Sequence, residues 1–327
     1  MTEQTSPRLW LARAGMVGCI LMAAIIVSSA YLRLTSMGIG CEPWPGCYGR
    51  IQAPTPATQP RAADANSSSV RIARLLHRAA AMLVAIVAVM TLLLSLTASE
   101  RRPRTVCIAA SILALTVMLA AVGRMSATLL VPAVGIANLL GGFGLLACFW
   151  LLRLDGRNET HSRVPPRIRR IAGCMLLVFA LQAAAGALIS VTYSADLCAS
   201  LWLCDAAQAP SRALHVFEAQ QLDETGKVIA VPAVAGVQTA HRVLGIAAAG
   251  LFALFGLWLV SSSTQRLHGA ALLGLAAIEA AIGIAMAAHG FPLLAAMTHN
   301  AIAAALLLVL VSVAWPRTSA SVRASSG

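Results

Sequence analysis

Residues 75–97 read LLHRAAAMLVAIVAVMTLLLSLT, an apolar run interrupted only by His77 and Arg78 near its start. A transmembrane helix needs about 20 predominantly apolar residues, and this run has that length with no charge after Arg78. The pattern returns at 239–261 as TAHRVLGIAAAGLFALFGLWLVS, with His241 and Arg242 again near the start. Working outward, further runs of spanning length fall at about 12–33, 106–123, 131–152, 171–192, 269–288 and 293–315. The expected fold is an all-α membrane protein of eight transmembrane helices. Composition agrees: of 327 residues 59% are hydrophobic and 11% charged, with a mean hydropathy of +0.80, whereas a soluble chain is about a quarter charged. The first apolar run is long enough to span and lacks a small-residue cleavage site, so no cleavable signal peptide is expected.

The His-Arg pairs belong to a wider internal repeat. Cys41 and Cys47 have the spacing of Cys198 and Cys204 and precede them by 157 residues; His77 precedes His241 by 164, and Asn138 precedes His299 by 161. Three unrelated features sharing nearly one offset imply duplication. The expected organisation is two tandem four-helix bundles, residues 1–153 and 171–327, joined by a cytoplasmic linker at 154–170. Four spans per copy is an even number, so both copies run in the same direction, related by a pseudo-two-fold axis along the membrane normal.

Charge sets the orientation. Arg8, Arg13, Arg101, Arg102, Arg104, the run from Arg153 to Arg170, Arg266, Arg317 and Arg323 all fall on one side of eight spans. That side is expected to be cytoplasmic, with both termini inside. The net charge of +12 is thereby read as topology; no basic stripe with interleaved aromatics suggests nucleic acid. No phosphate-binding Gly-rich loop, nucleophile elbow or paired-carboxylate motif is present.

Of the seven histidines, His161 and His268 fall in the expected cytoplasmic connections and read as solvated side chains. His241 and His299 sit at matched depth on two spans. Ionisable groups in a bilayer are costly and usually face a bundle interior or a cofactor, and two neutral imidazoles so placed suit axial ligation of haem iron. They read alternatively as interfacial histidines bonded to water or backbone. Zinc fits less well, because no Cys or carboxylate completes a tetrahedral set. His77 matches His241, but Asn138 stands where His299 has its counterpart. An amide is a poor iron ligand and a good hydrogen-bond donor, so the first half would offer a haem one protein ligand and an open face, or has lost its site. Arg33, Arg71, Arg74, Arg78 and Arg242 cluster at outer helix ends, where a guanidinium matches a haem propionate or snorkels to lipid headgroups. Glu279 lies mid-helix, where a buried polar contact is expected.

The two cysteine pairs lie in the long loops at about 34–74 and 193–238, opposite the basic face. On an oxidising side each pair reads as a disulfide, Cys41–Cys47 and Cys198–Cys204, serving as a staple or in thiol exchange. Cys19, Cys107, Cys148 and Cys174 lie in helices and read as small apolar residues.

These residues together resemble the haem A synthase family of cytochrome oxidase assembly enzymes. RLTSMGIGCEPWPGC at 33–47 resembles the family's first outer-loop signature, and LVPAVGIANLLGG at 130–142 resembles its fourth helix. The His-Arg pairs at 77–78 and 241–242, and His299, are similar to its histidine positions. The resemblance implies haem b held by His241 and His299 as a cofactor. It implies a first half that binds haem O through His77, with His77 and Asn138 as the catalytic candidates, and Arg78 and Arg242 as further cofactor-binding residues. The reaction implied is oxidation of the C8 methyl group of haem O to a formyl group, by successive hydroxylations and loss of water from the geminal diol. The partners implied are haem O, a haem O synthase, an electron donor, the lipid bilayer of a bacterial inner membrane and a further copy of the chain. Two departures stand in the first half: the family often has His where this chain has Asn138, and a carboxylate where it has Arg74. The alternatives are a haem-binding electron-transfer protein that makes no haem A, and a membrane thiol-disulfide oxidoreductase acting through the loop cysteines.

Overall fold

A computed structural model describes residues 7–35, 67–98, 101–126, 131–157, 164–192, 217–219 and 234–315. The described residues form eight helices: α1 (Pro7–Leu34), α2 (Ser68–Thr97), α3 (Pro103–Ser126), α4 (Pro132–Gly156), α5 (Pro166–Val191), α6 (Val234–Val260), α7 (Arg266–Ala288) and α8 (Leu293–Ala314). Each is long and apolar enough to cross a bilayer, and no strand occurs among the described residues. The chain is a multi-pass membrane protein. Large apolar side chains such as Ile20, Ile72, Leu181 and Leu254 are 62–66% exposed, as suits helices whose outer faces meet lipid.

Most helices overrun the apolar stretches that announce them, because backbone hydrogen bonding continues past the last apolar residue. α2 begins at Ser68, where the Ser67 side chain accepts a hydrogen bond from the Val70 amide. His77 therefore lies about two and a half turns inside the helix rather than opening it. α3 likewise continues through Arg124, and His268 belongs to the first turn of α7. Pro132 and Pro166 start α4 and α5, where a missing N–H costs nothing. Between α7 and α8 the turn is tight: Gly290 and Phe291 both take positive φ, 69° and 57°.

Helix contacts close two rings, α1–α2–α3–α4 and α5–α6–α7–α8, each helix packing on its two neighbours. The rings meet through α1 and α4 on one side and α5 and α8 on the other. Close approach uses glycine. A Cβ at Gly15 would lie 2.7 Å from the Arg153 backbone nitrogen, joining α1 to α4, and one at Gly269 would lie 2.6 Å from the Gly256 carbonyl, joining α7 to α6. Phe149 is fully buried in the first ring, beside Met22 and Ile112, while Phe143 of α4 reaches into the second ring's core and stacks on Phe179 of α5 at 5.7 Å.

Two hydrogen bonds between the rings join positions that are equivalent or one residue from it. Arg33 Nε donates to Ser190 Oγ at 2.9 Å across a separation of 157 residues, and Trp150 Nε1 donates to Ser312 Oγ at 2.7 Å across 162. A residue can touch its own two-fold mate only near the axis. One contact lies at the end of α1 and α5, the other towards the opposite end of the bundle on α4 and α8. This is the pattern that a pseudo-two-fold axis parallel to the helices produces.

Candidate functional site

His241 lies about two turns into α6 and His299 about the same distance into α8. α6 and α8 stand across their ring from each other, with α5 and α7 between them. The two imidazoles project into this ring closely enough to act on one another electrostatically. Glycines on the walls make room for them. A Cβ at Gly186 of α5 would come within 3.1 Å of His241 Cε1, and a Cβ at Gly283 of α7 within 3.7 Å of His299 Cε1.

Both rings are held by their neighbours. His299 Nδ1 lies 3.3 Å from Glu279 Oε1 on α7. The backbone of Gln182 on α5 approaches the His241 ring, and the Gln182 amide donates from Nε2 to the His241 carbonyl at 3.0 Å. Gly245, one turn further along α6, keeps that amide's slot open: a Cβ there would meet Nε2 at 3.0 Å. Both Nδ1 atoms are buried without a well-formed hydrogen bond.

The first ring repeats part of this construction. The backbone of Ile25 on α1 approaches the His77 ring, whose Nδ1 is buried without a well-formed hydrogen bond. Ile25 and Gln182 are again 157 residues apart. One turn before each histidine the helix buries a polar side chain, Arg74 at 5% exposure and Gln238 at 1%. Arg78 and Arg242 follow the histidines and are half-buried, with Arg242 Cζ 5.9 Å from the Phe291 ring centre. Asn138 lies about two turns into α4 and is half-buried; α4 stands across the ring from α2. Arg33, one of the outer arginines, reaches Ser190 in the other half.

Among the described residues no three or more His, Cys, Asp or Glu side chains gather to hold a bare metal ion. Haem asks less of a protein, because the macrocycle holds the iron and the chain adds only axial ligands. Two opposed imidazoles, each against a glycine wall with Nδ1 turned inward to the protein, have the donor set for that role. The Glu279 contact bears out the expected buried polar partner. Gln182, Gln238 and the two wall glycines went unremarked in the sequence; the shared offset to Ile25 was the signal available for Gln182. Cys41, Cys47, Cys198 and Cys204 lie outside the described residues, as do both termini and the long loops. Cys19, Cys107, Cys148 and Cys174 are free thiols in helices, Cys19 being buried.

From residue 12 to residue 311 the chain matches a family described as cytochrome oxidase assembly protein. It belongs to that family. The match begins inside α1 and ends inside α8, so every histidine of the two rings falls within it. A relative from Shewanella oneidensis named heme A synthase is 28% identical over 331 residues, covering 96% of this chain and 98% of its own length.

Proposed function

We propose that this chain is a haem A synthase of a bacterial inner membrane, converting the C8 methyl group of haem O to the formyl group of haem A. The observation that carries the proposal is the pairing of His241 with His299 across one ring, set against the lone His77 in the other. Family membership and the name of the Shewanella relative support it. In this reading His241 and His299 would hold haem b, which would supply electron transfer when bound.

The rest is the work of the chain's own side chains. Gln182 bonds the His241 backbone and Glu279 stands beside the His299 ring, and the glycine walls leave both imidazoles room. Arg78 and Arg242 offer guanidinium groups at the height of the histidines, suited to the carboxylates of haem propionates. His77 holds the substrate haem O by one face. Asn138 offers an amide that hydrogen-bonds and ligates iron poorly, so the substrate's other face stays open for oxidation of its methyl group. Successive hydroxylation and loss of water from the geminal diol give the formyl group. The arginine distribution supports cytoplasmic termini. That arrangement puts the outer loops, with Cys41–Cys47 and Cys198–Cys204 as disulfides, on the oxidising side.

The test is co-expression with a haem O synthase, followed by extraction and mass analysis of the haems. Wild type should yield haem A, and His77→Ala should leave haem O unconverted. A wild-type membrane that holds the protein and haem O but forms no haem A overturns the proposal. Asn138 favours one second reading, an electron-transfer cytochrome that converts nothing. It predicts a low-spin haem spectrum lost in His241→Ala or His299→Ala, with no haem A in any strain.

A further inference from the structure

Glu279 is the acidic side chain that the described helices bury within a span. Asp155 sits at the end of α4, bonded to Thr105 of α3 at 2.6 Å, whereas Glu279 lies about three and a half turns from the start of α7 and about two and a half from its end. A carboxylate at such depth costs several kcal/mol unless the structure engages it. Its engagement is specific: Oε1 comes within 3.3 Å of His299 Nδ1, close enough for an ion pair though without a well-formed hydrogen bond, and Oε2 is likewise buried with no hydrogen-bond partner. α3, the counterpart of α7 in the first ring, carries no acidic residue along its whole length. The carboxylate therefore belongs to one half alone, the half that also has the second histidine.

An imidazole with Nδ1 held by a carboxylate presents Nε2 to its ligand. The contact fixes tautomer and ring orientation and makes the ligand nitrogen more basic. A more basic axial ligand donates more electron density and stabilises the oxidised iron over the reduced. Each histidine is approached by the backbone of a neighbouring helix, His241 by Gln182 and His299 by Glu279; the side-chain carboxyl group at 3.3 Å is what His299 has in addition.

We infer that Glu279 is a positioning residue for His299: it locks Nε2 toward the haem and biases the bound haem toward its oxidised state. This rests on the haem-binding reading of the second ring and goes beyond it, because it assigns the two axial ligands unequal donor strength.

The experiment uses full-length protein purified with its haem, comparing wild type with Glu279→Gln, Glu279→Ala and Glu279→Asp. The readouts are haem content, the midpoint potential from a redox titration, and the low-spin electron paramagnetic resonance spectrum. Glu279→Gln keeps the shape and replaces the acid by an amide. It should retain haem and favour the reduced form by about tenfold, a rise of 59 mV for one electron, with altered g-values. Glu279→Ala should show the same rise and hold haem about 10-fold less tightly. Glu279→Asp, which keeps the acid, should return the potential towards wild type. Haem-loaded Glu279→Gln with unchanged potential and g-values overturns the inference and leaves the haem reading intact. Should Glu279→Gln fail to fold, Glu279→Ala decides: haem-loaded Glu279→Ala with the potential and g-values of wild type overturns the inference. Wild-type protein free of haem overturns the haem reading itself.

Discussion

In the ring of α1–α4 the histidine of α2 stands across from an asparagine, and α3 offers no acid. In the ring of α5–α8 the histidine of α6 stands across from a second histidine, backed by the carboxylate of α7. The scaffolds correspond closely: the same helix order, the same glutamine-or-isoleucine position behind the first histidine, the same buried polar residue one turn before it. The groups at the histidine level differ in kind. On the proposed function, a duplicated bundle would thus present two sites of similar construction with different coordination chemistry. The choice between one axial imidazole and two decides whether a haem keeps an open face.

Asn138→His is the strongest way to break the contrast. It gives the first ring the donor set of the second, and the haem bound there should change from high-spin to low-spin, read by absorption of protein loaded with haem O. An unchanged spectrum would show that α4 does not bring residue 138 to the haem.

A smaller effect tests the walls. Gly186→Leu drives a side chain into the His241 ring, where even a Cβ comes within 3.1 Å of Cε1. Haem retention in the second ring should fall about tenfold, the lower end for losing a group that orients a ligand. Gly123→Ala on α3, where nothing lies within 4 Å of the added Cβ, should leave haem content alone. Equal losses in both variants would mean that the glycines matter to folding and not to the site.

The smallest expected effect concerns the axis between the halves. Ser190→Ala and Ser312→Ala each remove one hydrogen bond between rings, worth about 0.6 kcal/mol for such a contact in a bilayer. Melting in detergent should shift slightly and additively, since the two lie far apart. A loss of several kcal/mol from either would assign these serines a larger part in holding the halves together.

The helices and the duplication were legible because both are written in local pattern. Twenty apolar residues must be helical to satisfy their backbone in lipid, and a shared offset survives whatever the fold does. His241 and His299 were legible for the same reason, as costly residues in apolar runs. Helix ends were not: α2 begins well before its apolar run, because Ser67 caps it and backbone bonding ignores polarity. Nor was the company each histidine keeps, since Gln182, Glu279, Gly186 and Gly283 come from helices that only packing brings near.

For this protein the sequence by itself determined the membrane, the eight spans, the two-fold repeat and the mismatch of Asn138 with His299. Each of these follows from the transfer cost of residues or from their spacing along one chain. Only the tertiary structure decided that α6 and α8 stand opposed across a ring, that glycines on α5 and α7 leave the imidazoles room, and that Glu279 reaches Nδ1 of His299. Those facts depend on which faces of separate helices meet, and in lipid that is settled by close packing of small residues, which apolar periodicity does not record.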